Sequence, residues 1–311
     1  KFNNTTHLAY KCKARVVAKG YMQVHGKDFF DVYSPVVNVK AFRMCLAIWC
    51  LSPDHQAEQW DITAAFLHAM IKERIFLKLN DDDLERHFGI PKSQSKKNNY
   101  LLRLIKCLYG LRQSSREWYQ LLRTLLMECG CVPIAKDDCL YVKRTGGAWV
   151  IILVHVDDMS VFFNGKGKVL RDSIYNHLIK KIEVRNQGLL RYYLKMNIEY
   201  DSLNGIMKIS QPYHELLFQE RFCMSEWKQR DTPLPASGKY VLAPGDYENQ
   251  TPEEKFAVEQ FPIREFIGNV IWLLQVHPTL TFLCSYLGSH VNKPTHKLWE
   301  NCKWAGGFAV K

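Results

Sequence analysis

The sequence lacks the short-range patterns of several common protein classes. Its 10 cysteines form only two close pairs, Cys45 with Cys50 and Cys129 with Cys131, and neither pair has the two-residue gap of zinc knuckles or thiol redox motifs. None of the 11 histidines belongs to a His-x-x-x-His pair with carboxylate support. No apolar run reaches the roughly 18 residues that cross a membrane. Scattered thiols without a framework suit a reducing compartment, where cysteine acts as a small core residue.

Acidic residues are in deficit. Aspartate and glutamate total 31 against 42 lysines and arginines, which gives a net charge of +11. That excess indicates a polyanionic partner, either a nucleic acid or a membrane surface, although a merely basic soluble protein fits it equally well. A hydrophobic fraction of 47% excludes wholesale disorder.

Periodicity predicts a mixed N-terminal half and a mostly helical C-terminal half. Basic and apolar residues alternate from Lys11 to Val24, which predicts two short strands meeting near Gly20. The run "VIILVHV" predicts a buried strand of a hairpin. Asn204 and Gly205 form the dipeptide of a tight hairpin turn, and helical spacing prevails from Gln211 onward.

Three acidic residues follow apolar strands. Asp61 ends "EQWD", and Asp157 with Asp158 ends "VIILVHV". A single carboxylate at a strand end is usually a turn former, and that interpretation holds for each of them alone. Two like charges at the end of a buried strand are costly, however, unless a cation or hydrogen bonds compensate. A pair of Mg²⁺ ions about 3.5–4 Å apart would compensate them and is suited to in-line phosphoryl transfer.

Five motifs occur in an order and spacing that point to one family. They are "KARVVAKG", "WDITAAF", "CLYGLRQSSREWY", "VHVDDMSVFF" and "YYLKMNIEY". Together they resemble the polymerase motifs of copia-type LTR retrotransposon reverse transcriptases. The resemblance runs from about Lys11 to about Pro294 and so covers almost the whole chain.

The resemblance implies an α+β right-hand polymerase fold with a palm built on an antiparallel sheet. Fingers are expected at 1–36 and 69–113, the palm at 37–68 and 114–210, and a helical thumb with a truncated connection at 211–311. The chain begins without methionine, and no "D…E…D…D" pattern follows Trp272. We therefore expect a piece of a longer Pol polyprotein, without an RNase H domain.

The same resemblance implies the catalytic residues. Asp61, Asp157 and Asp158 match the catalytic aspartates of the palm and would hold two Mg²⁺ ions, for which Mn²⁺ could substitute. The backbone carbonyl of Ile62 is an expected further ligand. One ion would activate the primer 3′-hydroxyl, and the other would bind the incoming triphosphate and the leaving pyrophosphate.

Nucleotide binding is expected from the fingers and the adjoining palm. In the family, the ring at the position of Phe66 lies under the deoxyribose and excludes a 2′-hydroxyl, although simple core packing also fits its apolar surroundings. Arg15 would grip the triphosphate, because a guanidinium forks onto phosphate oxygens. The residues expected to bind the nucleotide are Arg15, Lys11, Phe66, Tyr109, Gly110 and Gln113.

Template and primer would lie against the palm and thumb. "YYLKMNIEY" resembles the primer grip, and Gly268 and Trp272 share one face of a thumb helix. A helix so rich in apolar residues is also typical of a core, and Arg112 with Arg116 could form a solvated basic face. The residues expected to contact template or primer are Arg112, His155, Met196, Asn197, Gly268 and Trp272.

Two departures from the family pattern leave the activity of this copy open. His155 stands where the family has Tyr or Phe, and Lys195 stands where the primer grip usually has Gly. The leading hypothesis is DNA synthesis from dNTPs on RNA and DNA templates during retrotransposon replication. The alternative is a decayed or domesticated copy that binds nucleic acid without efficient synthesis. A generic metal-dependent nuclease or phosphotransferase ranks last, because it would not need the fingers and thumb motifs.

The resemblance also implies partners and a location. RNA template, DNA primer and dNTPs are expected partners, with a second copy of the chain or other Pol and Gag products as further ones, and no membrane. The expected location is the cytoplasm, in a virus-like particle of the parent element, with delivery to the nucleus as an option.

Overall fold

A computed structural model describes residues 14–134, 137–235, 241–243 and 245–309, the side chains of residues 96 and 97 aside. The chain divides into two compact units, Lys1–Leu190 and Arg191–Lys311. Both contain helices together with antiparallel strands, which confirms the expected mixture of helix and antiparallel sheet. The finer division into fingers, palm and thumb stays a prediction.

The first unit is built on an antiparallel sheet with the strand order β4-β5-β6-β7-β1-β8. A small β2–β3 ladder lies outside that sheet. The strands are β1 (Gln56–Ile62), β2 (Phe76–Leu77), β3 (Leu102–Arg103), β4 (Val132–Ile134), β5 (Asp137–Thr145), β6 (Ala148–His155), β7 (Asp158–Phe163) and β8 (Val184–Leu189). The helices are α1 (Val39–Cys50), α2 (Asp81–Phe88), α3 (Lys92–Asn98), α4 (Ser114–Glu128) and α5 (Lys168–Ile179).

The central strands of this sheet are covered on both faces, which explains their nearly continuous apolar sequence. On one face, alternate residues of β6 and β7 join a core with α4 and α5 that includes Ile152, Val161, Leu122 and Ile174. On the other face, Phe162 of β7 packs against aromatic rings of α1. Because successive strand side chains point to opposite faces, this packing fixes the register of the sheet.

The second unit combines a three-stranded sheet, with the order β11-β10-β9, with a set of helices. Phe218, Phe266 and Trp299 lie at the centre of its hydrophobic core. None of the helices in the described ranges is long and apolar enough to cross a membrane. The elements are β9 (Tyr192–Tyr193), β10 (Met196–Asp201), β11 (Ile206–Ser210), α6 (Pro212–Arg221), α7 (Pro252–Glu259), α8 (Ile263–Leu273), α9 (Thr281–Ser289) and α10 (His296–Ala309).

The prediction of two strands between Lys11 and Val24 is wrong for the described residues 14–24. They contain no strand, only a short 3-10 helix at Gly20–Met22. The reason is that their backbone packs against a distant segment instead of pairing with itself. The Ala18 amide donates to the Tyr109 carbonyl at 2.8 Å, and the Gly20 backbone lies directly against the Gly110 carbonyl.

Candidate active site

The β6–β7 hairpin carries two adjacent aspartates of the candidate site. The strands pair antiparallel as far as His155 opposite Asp158, so that Val156 and Asp157 form a two-residue loop. Residues Val150–Val154 of β6 are all buried, whereas the loop is half-buried. This confirms the predicted buried strand of a hairpin that ends in carboxylates.

The third aspartate is brought to the same end of the sheet by β1. This strand pairs antiparallel with β7, and Asp61 lies directly opposite Asp158. Directly opposed residues of an antiparallel pair project from the same face, so these two carboxylates share one side of the sheet. The Ile62 amide donates to the Asp157 carbonyl at 2.8 Å, which holds the loop against the end of β1. Sequence positions almost a hundred residues apart therefore meet.

The aspartates suit a hard divalent cation in chemistry and in strand register. Carboxylate oxygens are the ligands that Mg²⁺ prefers, and all three aspartates are half-buried. Among the residues that the structure describes, no group of three or more His, Cys, Asp or Glu side chains is already arranged round one point to hold a metal ion.

The hairpin loop has an unusual backbone. Val156 has φ of +57°, a conformation that L residues rarely adopt and that a β-branched side chain disfavours further. The buried indole of Trp118, on α4, donates its Nε1–H to the Val156 carbonyl at 2.7 Å. The sequence did not indicate this contact, since Trp118 looks like one more apolar residue of an amphipathic helix.

His155 lies just before the loop and is half-buried. Burial lowers the pKa of its imidazole, while the nearby charge of Asp157 acts in the opposite direction. The desolvation effect is the larger one, so the neutral ring is favoured near neutral pH. His155 therefore places a smaller ring at the position where the family pattern has Tyr or Phe.

Two residues predicted for nucleotide binding, Arg15 and Phe66, each contact a third, Tyr109. The rings of Phe66 and Tyr109 lie 4.9 Å apart between centroids. The guanidinium of Arg15 lies over the Tyr109 ring, 5.5 Å from its centroid. Arg15 is exposed, whereas Phe66 is half-buried. Lys11, the weaker basic candidate, lies outside the described residues.

Gly110 allows two backbone segments to approach closely. It has φ of +89°, and a Cβ atom placed on it would lie 2.2 Å from the Ala18 carbonyl oxygen. Only glycine accepts both the conformation and the contact. The backbone around Arg15 is thereby docked beside Tyr109, which is why the guanidinium reaches that ring.

Arg112 and Gln113 form hydrogen bonds that hold residues 20–28 against the segment around Gly110. The Arg112 Nε–H donates to the Gly20 carbonyl at 3.1 Å. The Gln113 side chain is buried, and its amide donates to the Asp28 carbonyl at 2.9 Å and to Glu73 at 3.1 Å. These internal hydrogen bonds give Gln113 a structural role. A role of either residue beside template or nucleotide stays a prediction.

The second unit contains the other predicted template–primer residues. Lys195, at the β9–β10 connection, has φ of +62°, and its Nζ lies 5.6 Å from the ring centroid of Trp272 on α8. Met196 is buried, and Asn197 is a strand residue paired with Ser210. A Cβ atom on Gly268 would meet no described atom within 4 Å, so the helix surface there is open. Direct contact of these residues with nucleic acid stays a prediction.

Comparisons with known proteins agree with the resemblance of the sequence motifs to reverse transcriptases. A family model described as "Reverse transcriptase (RNA-dependent DNA polymerase)" matches residues 1–235. That match spans more than half of the chain, so the chain belongs to the reverse transcriptase family. Members of this family are RNA-directed DNA polymerases and generally use divalent metal ions.

Curated relatives narrow the class to a copia-type reverse transcriptase region. The chain is 29% identical over 296 residues to the Retrovirus-related Pol polyprotein from transposon TNT 1-94 of Nicotiana tabacum, covering 94% of this chain and 21% of that protein. It is 28% identical over 303 residues to the polyprotein from transposon RE2 of Arabidopsis thaliana, covering 97% and 19%. A third such polyprotein, from transposon RE1 of the same plant, is 27% identical over 297 residues, covering 96% and 19%. The chain thus spans only about a fifth of these relatives, 21% of the first. No solved structure matches it.

Proposed function

We propose that this chain synthesises DNA from dNTPs on RNA and DNA templates, as part of the replication of a retrotransposon. One observation carries the proposal. The register of β1 and β7 sets Asp61 opposite Asp158, and the Ile62 amide holds Asp157 beside them. Three carboxylates at one sheet end, in a chain of the reverse transcriptase family, suit two-metal phosphoryl transfer.

The metal ligands would be the carboxylates of Asp61, Asp157 and Asp158 with the carbonyl of Ile62. Two bound Mg²⁺ ions, or Mn²⁺ in their place, would activate the primer 3′-hydroxyl and neutralise charge on the triphosphate and leaving pyrophosphate. The part of the chain itself is to hold its carboxylates at fixed backbone positions. The hydrogen bond from Ile62 to Asp157 supports this role, because it ties the loop to the strand that carries Asp61.

Selection of the nucleotide would rest on the cluster of Arg15, Tyr109 and Phe66. The exposed guanidinium of Arg15 would bind triphosphate oxygens, and its position over Tyr109 limits the directions in which it can reach. The Phe66 ring, packed against Tyr109, would reject a 2′-hydroxyl by its bulk. A ring held on one side yields less to an added oxygen than a free one would.

Template and primer would be bound mainly through their phosphates by the basic surface of the chain, with net charge +11. In the second unit, the exposed Lys195 beside Trp272 pairs a cation with an aromatic face, a combination that suits nucleic acid. Other products of the same element, or a second copy of the chain, are further proposed partners. The proposed location is the cytoplasm, within a particle of the parent element.

The decisive test is primer extension on an RNA template with Mg²⁺. We expect the wild-type chain to extend the primer and Asp157→Asn to fail, because the substitution removes a ligand charge at nearly constant shape. The matched control is Asp138→Asn, a surface aspartate on β5 that lies 3.4 Å from the Arg123 guanidinium, and it should extend normally. Equal extension by wild type and Asp157→Asn would contradict the proposal.

A second candidate function is nucleic-acid binding without efficient synthesis. The observation that favours it is His155, a half-buried imidazole where the family pattern has a larger aromatic ring, next to the loop that carries the aspartates. This candidate predicts template–primer binding that weakens steeply with salt, because phosphate contacts release counterions, but no extension. His155→Tyr should then restore extension. Binding that does not change with salt would contradict both candidates.

A further inference from the structure

The loop that carries Asp157 is held in an unfavourable backbone conformation. In a two-residue hairpin loop, a positive φ at the first position is normally supplied by Gly, Asn or Asp. Here that position is Val156, with φ of +57° and a branched β-carbon. Such a conformation persists only where the surrounding structure enforces it, and such sites cluster at functional centres. The enforcing contact therefore has to be identified.

Trp118 makes that contact from the core. Its indole is 2% exposed, and its Nε1–H donates to the Val156 carbonyl at 2.7 Å. The ring belongs to the same core cluster as Trp60 and Ile62, the neighbours of Asp61 in β1. His68 lies 6.1 Å from it between centroids and is itself tied to the Thr63 carbonyl at 3.0 Å. The donor is thus fixed to the strand that supplies the third aspartate.

The two hydrogen bonds at the loop act on both sides of Asp157. The Val156 carbonyl belongs to the peptide plane before the Asp157 Cα, and the Asp157 carbonyl belongs to the plane after it. Trp118 holds the first plane, and the Ile62 amide holds the second at 2.8 Å. With both planes fixed, φ and ψ of Asp157 are fixed, and so is the direction of its Cα–Cβ bond.

We propose that Trp118 is a positioning residue, which keeps the Val156–Asp157 loop strained and so aims the Asp157 carboxylate at the metal site. The inference rests on the proposed function for the identity of that site. Trp118 touches neither substrate nor metal and acts through the Val156 carbonyl. Without its N–H, the valine backbone would relax out of the positive-φ region and carry Asp157 with it.

The test is a double-mutant cycle. Trp118→Phe keeps an aromatic ring but removes the N–H, and we expect kcat for primer extension to fall roughly tenfold, as is usual for a lost partner of a metal ligand, with little change in KM for the dNTP. In the Val156→Gly background, glycine adopts positive φ unaided. In that background, the same Trp118→Phe change should alter kcat less than about twofold, whatever the kcat of the Val156→Gly chain itself.

Mn²⁺ binding, followed by water-proton relaxation, gives a readout that needs no turnover. We expect Trp118→Phe to weaken it roughly tenfold in the valine chain and hardly at all in the glycine chain. The control is Trp49→Phe, an equally buried indole that packs on Phe162 away from the loop, and it should leave Mn²⁺ affinity unchanged.

The outcomes separate the two proposals. If the wild-type chain extends no primer but the Mn²⁺ cycle shows the coupling, the proposed function fails and the role of Trp118 stands. If Trp118→Phe has the same effect in the valine and glycine chains, or if Trp49→Phe weakens Mn²⁺ binding as much, Trp118 is only a core residue and the inference is overturned.

Discussion

Replacing Gly110 by alanine should destabilise the first unit by more than the positive φ of this residue alone can explain. An alanine at φ of +89° costs about 1–2 kcal/mol for the left-handed backbone alone. Its Cβ would also lie 2.2 Å from the Ala18 carbonyl oxygen and 2.7 Å from a Val17 methyl carbon. Backbone must then move, and such overpacking costs about 1–3 kcal/mol more. The expected loss in the free energy of unfolding is therefore about 2–5 kcal/mol.

The matched control is Gly26→Ala. Gly26 has φ of +80° but no described atom within 4 Å of the position of a Cβ, so only the backbone cost applies. Urea unfolding of both variants should show a midpoint for Gly110→Ala that lies roughly 1 M below that of Gly26→Ala. The KM for the dNTP should rise only in Gly110→Ala, since Arg15 loses its docked backbone. Equal midpoints would refute the close packing of the Gly110 backbone against the Ala18 carbonyl.

Three further predictions concern single side chains. Phe66→Ala should raise incorporation of ribonucleotides relative to deoxyribonucleotides by up to about 100-fold, whereas Phe88→Ala, an exposed control, should not; an unchanged ratio would make Phe66 a core residue only. Lys195→Gly should raise the free energy of unfolding by roughly 1 kcal/mol in thermal melts, because φ of +62° is unfavourable for lysine, and a lower melting temperature would contradict this. Burial raises the pKa of the Cys131 thiol to about 12, so iodoacetamide at about pH 8 should label the exposed Cys223 far faster; equal rates by mass spectrometry would contradict the burial.

Local pattern was sufficient to predict the strand and the hairpin that present Asp157 and Asp158. A run of Val, Ile and Leu closed by two acids is compatible with few other structures, and β6 and β7 follow it. The position of Asp61 opposite Asp158 could be expected only from the family motif. Strand pairing is a long-range property, and no feature of the sequence around Asp61 specifies its partner.

Long-range packing explains what the sequence did not reveal. The alternation between Lys11 and Val24 suggests strands, yet the backbone near Gly20 bonds to a segment about ninety residues later, around Gly110. Trp118 and Val156 are likewise 38 residues apart, and neither carries a local sign of their hydrogen bond. The family motifs marked both segments as relevant without saying how they are joined.

The register between β1 and β7 also bears on how copies of a retrotransposon would lose polymerase function. Since side chains alternate along a strand, a single-residue deletion within residues 56–60 would turn Asp61 to the opposite face while leaving an apolar strand that can still pair. Substitutions there are milder than changes in length. The exposed turn around Asn204 and Gly205, by contrast, can accept an extra residue. Among inherited copies, frame-preserving changes in the length of β1 should therefore mark inactivated lineages, even where the three aspartate codons are intact.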